Sequence, residues 1–69
     1  MIEVFKTNVE APHEATKLLD VLSHHIPHCN ASFDLEDCDR ILRVEGTTIP
    51  PGTIIEILDT NGYQCLLLD

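Results

Sequence analysis

Aromatic residues are nearly missing from this chain: Phe5, Phe33 and Tyr63 are the whole set, and there is no tryptophan. A core must then be assembled from Leu, Ile and Val, which suits a sheet covered by helices. Basic residues are also scarce, four Lys and Arg against twelve Asp and Glu, for a formal net charge of −8. Such a surface repels phosphate backbones and anionic membranes, so neither nucleic acid nor membrane is an expected partner. Cysteine occurs three times, at 29, 38 and 65. An odd number at wide spacing lacks the even framework of a small disulfide scaffold, and reduced thiols in a cytosol fit better. No apolar run approaches the roughly 20 residues of a membrane span, and Met1 to Lys6 lacks a basic region leading into an apolar one. The expectation is a cytoplasmic protein from which nothing is removed. Internal repeats and low-complexity tracts are absent as well.

What is present is enough to fold. Hydrophobic residues make up 43% and charged residues 23%, the balance of a globular chain rather than a disordered one. A length of 69 residues allows one domain, spanning 1–69. A domain of that size buries only about 60% of the surface its unfolded chain exposes, so stability should be modest.

Residues 2–7, Ile-Glu-Val-Phe-Lys-Thr, alternate in polarity and are rich in strand formers, which predicts a first strand ending before Asn8. From Pro12, the apolar residues Ala15, Leu18, Leu19, Leu22 and Ile26 form the stripe of an amphipathic helix. Pro12 suits its first turn and Pro27 its stop, giving a helix over 12–25. Residues 31–36 and 40–45 each alternate, and the turn-prone Asp37-Cys38-Asp39 between them predicts an antiparallel hairpin. Thr47 to Gly52 reads as a rigid connector into a second, shorter helix carrying Ile54, Ile55, Ile57 and Leu58. Asn61-Gly62 should end it, since glycine readily takes the left-handed conformation needed there. Tyr63 to Leu68 is then a last strand.

The order β-α-β-β-α-β predicts an α+β, ferredoxin-like sandwich, with a four-stranded antiparallel sheet and both helices on one face. The opposite face should meet solvent and carry Glu3, Asp34, Ile41, Arg43, Leu66 and Leu68, a surface on which a protein partner or a second copy could dock.

Several stretches carry a family resemblance: the helix stripe Leu18, Val21 and Leu22, the strand Phe33-Asp34-Leu35 with its tight turn, and the run Ile55 to Tyr63 leading into a short strand. In this order, over nearly the whole chain, they resemble the heavy-metal-associated family of copper and zinc carriers. The resemblance implies a metal loop of Met-x-Cys-x-x-Cys pattern between the first strand and first helix, where two thiolates hold a soft ion. Here that loop reads Val9-Glu10-Ala11-Pro12-His13-Glu14. Ala11 and Glu14 stand at the cysteine positions, Val9 stands at the methionine position with only a packing role, and Pro12 stiffens the loop. The expectation is the family's fold without its metal site, because a fold does not carry its function with it.

Other donors are weighed against simpler roles. His24, His25, His28 and Cys29 gather at the end of the first helix and could hold zinc or copper. Pro27 interrupts the face that His24 and His28 would share, and histidines in a last helical turn are explained by the helix dipole. His13 and Cys38 fall at the same end of the sheet as the Gly62 loop and form a second conceivable pair. Cys65 reads as a small core residue. The acidic stretch Asp34, Glu36, Asp37 and Asp39 lacks the spacing, glycine and terminal Glu of an EF-hand. No nucleophile elbow, phosphate loop or zinc-protease motif occurs, and short loops leave little material for an enclosing pocket. The sequence therefore predicts no enzyme, no cofactor and no resident metal. It points to a binding or interaction module, with a metal-responsive protein using relocated His and Cys ligands as the alternative.

Overall fold

In the computed structural model, which describes residues 1–68, the alternation of the first segment becomes β1 (Ile2–Thr7). The chain continues through α1 (Pro12–His25), β2 (Asn30–Asp34), β3 (Ile41–Glu45), α2 (Pro51–Thr60) and β4 (Cys65–Leu68). The four strands form one antiparallel sheet in the order β2-β3-β1-β4, which leaves β2 and β4 at its edges.

Register decides which side chains share a face. Phe33 pairs with Leu42, Leu42 with Phe5 and Phe5 with Leu67, so one row crosses all four strands. Phe5, Leu42 and Val44 are fully buried, in one cluster with Leu18 and Leu22 of α1 and Ile54 and Leu58 of α2. Each such side chain contributes about 1.5–3 kcal/mol relative to an exposed one. Ile2, Val4 and Lys6 of β1 point the other way, together with Ile41, Arg43 and Glu45, Asn30, Ser32 and Asp34, and Leu66 and Leu68. Glu3 corrects the sequence expectation. It pairs with Val44, so it lies on the helix side, half-buried, rather than on the open face.

Helix ends follow local chemistry. Ala11 precedes α1 and has no side-chain acceptor, but the Glu14 carboxylate accepts the Ala11 N–H at 3.1 Å, which is half of a capping box. The helix closes with the Ile26 N–H donating to Leu22, and Pro27 prevents another turn. The second helix begins at Pro51, earlier than the connector reading placed it, because proline is well suited to the first helical position. It ends in a Schellman motif: Tyr63 N–H donates to Leu58 and Gly62 N–H to Asp59, with Gly62 at φ +90°.

Three strands are shorter or shifted relative to expectation. The expected strand over 31–36 is Asn30–Asp34, because Asp34 accepts from the Glu36 N–H and Asp37 from the Asp39 N–H, so the backbone turns away from the ladder. Arg40 then takes a left-handed conformation, φ 47°, and its guanidinium donates to the Leu35 and Asp37 carbonyls, so the following strand starts at Ile41 instead of 40. The last strand starts at Cys65, not at 63, because the Tyr63 and Gln64 amides already donate to Leu58 and to the Asn8 side chain.

Candidate functional site

The first place to look is the loop that the family resemblance marks for metal. Val9 is fully buried, the packing role expected of it. Glu14 is engaged by the fold itself: Tyr63 donates its hydroxyl to one carboxylate oxygen at 2.6 Å, and Ala11 N–H donates to the other. These bonds, that of Tyr63 foremost, hold the Glu14 carboxyl below its ordinary range, and the same contact pushes the Tyr63 phenol up. The loop is further fixed by Thr7, whose hydroxyl donates to Arg40 O at 2.6 Å and accepts from the Val9 N–H. Through these bonds the loop before α1 is joined to the α2–β4 turn and to the β2–β3 hairpin.

The histidine group at the other end of the sheet is also absorbed by backbone. Nδ1 of His24 is bonded to Asp20 O and Nδ1 of His25 to Val21 O, each one turn back along the helix. His28 and Cys29 lie past the helix and both reach Thr48 O, at 3.1 and 3.4 Å. Among the described residues His24, His25, His28 and Cys29 do not gather three donors at one point. Among the described residues, one group of three donors does come together, Asp37, Cys38 and Asp39, and His13 is not part of it. Two of its acids already work within the fold, as Asp37 accepts the Asp39 N–H and Asp39 pairs with Lys6 at 3.6 Å. All three cysteines are free; burial pushes the Cys65 thiol up to about 11, whereas Cys38 is exposed.

No family model, curated protein or solved structure matches this chain. Its surface must speak for it. Among the described residues, no helix is long and apolar enough to cross a membrane. The surface that stands out is the β1–β4 half of the open face. Leu66 is 62% exposed and Ile2 53%, with Leu68 and Val4 beside them in register. Lys6 and Arg43 share this face with Asp34 and Glu45, and Lys6 is already paired with Asp39 of the hairpin. Sequence reading found Leu66 and Leu68 through their alternation with Cys65. It missed Ile2 and Val4, because it assigned β1 the opposite face; the buried Phe5 and Thr7 carried the signal that fixes it.

Proposed function

We propose that this chain is a ferredoxin-like βαββαβ domain, akin to the heavy-metal-associated family, that works as a non-catalytic interaction module without that family's metal. The observation carrying this reading is the solvent-facing apolar strip of Ile2, Val4, Leu66 and Leu68 at a sheet edge. Replacement of both family thiolates by Ala11 and a hydrogen-bonded Glu14 supports the loss of metal at that loop. Three unpaired cysteines fit a reducing, cytoplasmic setting. Nucleic acid and membrane are poor partners for a charge of −8.

A photo-crosslinker placed at Leu66, with the same group at the exposed Thr16 of α1 as control, tests the assignment. A discrete adduct from position 66 alone is the expected result. Equal adducts from both positions, or none from either in a chain that stays monomeric at every concentration, would overturn it.

A further inference from the structure

The edge at β4 is short, but little else protects it. Cys65-Leu66-Leu67-Leu68 contains no charge and no proline, and its outer side presents unpaired backbone N–H and C=O groups. Next to it, an open groove of about 590 Å³ runs between α2 and the start of β4, lined by Gly52, Ile55, Glu56, Asp59, Tyr63 and Leu66 among others. No Lys, Arg or His lines this groove. Glu56 and Asp59 are exposed, and among the described residues the one salt bridge is Lys6–Asp39, so neither acid is paired. Asp59 also sits in the last turn of α2, at the negative end of the helix dipole, where no basic residue compensates it.

We propose that β4 accepts an extended basic strand from another protein, a segment alternating apolar residues with Lys or Arg. This rests on the reading of the sheet as a contact surface and names the partner's chemistry. Added beside β4, such a strand completes the edge with main-chain hydrogen bonds. Its alternation turns the apolar residues toward the open face beside Leu66 and Leu68, and the basic residues toward α2. The Lys or Arg stems lie over Leu67, 38% exposed, and the half-buried Ile55, with their charges at Glu56 and Asp59. A second copy is disfavoured at this edge. Antiparallel pairing of two β4 strands brings two α2 helices side by side, each presenting the same uncompensated acids.

The probe is an end-capped peptide of alternating Val and Lys, titrated into the isotope-labelled chain. Amide shifts are expected at Leu66 to Leu68 and at Ile55, Glu56 and Asp59, and N-methylation along one edge of the peptide should abolish binding. The exposed double variant Glu56→Lys/Asp59→Lys should bind about tenfold more weakly. It should gain affinity for a Val/Glu peptide that the parent chain rejects. Absence of binding, equal binding of the N-methylated peptide, equal binding of the Val/Glu peptide to the parent chain, or self-association through β4 in sedimentation would overturn the inference. Shifts confined to Val4, Ile41 and Arg43 would overturn it while leaving the open-face reading intact. Absence of both peptide binding and the Leu66 crosslink would remove both.

Discussion

A methyl group added at Gly46 should reveal how tightly the end of β3 packs against the entry to β2. An ideal Cβ built there lies 2.9 Å from Cys29 Sγ, and 3.6 Å from the Cys29 Cα and Cβ. The latter two distances are ordinary contact, so the conflict is with sulfur alone. Gly46 does not have a positive φ, so alanine meets no backbone penalty and should gain about 0.4–1 kcal/mol by narrowing the unfolded ensemble. Against this, the single rotor of Cys29 must turn away from its contact with Thr48 O, at about 0.5–1.5 kcal/mol for an off-rotamer side chain. The two effects nearly cancel in Gly46→Ala, which should be neutral or slightly destabilised. In a Cys29→Ala background the clash is gone and the same substitution should stabilise. Urea unfolding of the four chains in the cycle should give a coupling of about 1 kcal/mol, equivalent to roughly 4–8 °C in Tm for a domain this size. If Gly46→Ala changes stability equally in both backgrounds, the sulfur contact does not exist as described.

Thiol labelling with an aromatic disulfide should modify Cys38 first, Cys29 more slowly and Cys65 only on unfolding, following their exposure; fast labelling of Cys65 would contradict its place in the core. Because the Cys65 thiol is pushed up from 9.0 to about 11, the unfolded chain releases a proton between those pH values that the folded chain keeps. Stability should then fall across that window by up to about 2.7 kcal/mol more in the parent than in Cys65→Ala. Tyr63→Phe removes the main cause of the lowered Glu14 pKa, so Glu14 should titrate nearer 4.5 when followed by carboxyl NMR. The lowered carboxyl contributes stability above its unfolded value that is lost as pH falls through the folded one, so the variant should be less stable at neutral pH and show a flatter acid limb; a steeper limb would refute the linkage. Competition titrations of the reduced chain with Cu(I) and Zn²⁺ should find no tight stoichiometric complex, and one abolished by Cys38→Ser would instead make the hairpin a metal site.

Periodicity carried the fold well where a buried face imposed it. The stripe Ala15, Leu18 and Leu22, with Pro12 and Pro27 as its limits, placed α1 at its observed bounds, and Cys65 was read correctly as core. It failed where polar side chains compete with the ladder. Nothing in the alternation of 31–36 says that Asp34 and Asp37 will bond their own following amides, or that Arg40 will turn left-handed to close the loop. Glu3 was placed on the open face, but it shares parity with the buried Phe5 and so lies on the helix side. The site was less legible than the fold, since it consists of relations between distant positions. Asp59 looks solvated in one dimension and becomes notable only beside an unpaired strand. Likewise, Glu14 reads as a missing ligand until Tyr63, 49 positions away, is found bonded to it.

The cross-links at that end of the sheet have a mechanical meaning. Thr7 to Arg40, Asn8 to Gln64 and Glu14 to Tyr63 tie the β1–α1, β2–β3 and α2–β4 loops to one another. At the opposite end, the side-chain links between loops among the described residues are those of His28 and Cys29 to a single carbonyl of Thr48. Among the described residues the Gly62 end is thus the more cross-linked of the two, like the spine of a book. Slow opening, seen as amide exchange below the global limit, should begin around Asn30 and Glu45 and run toward the spine, so the loops that look most available for gripping a ligand are the ones least free to move.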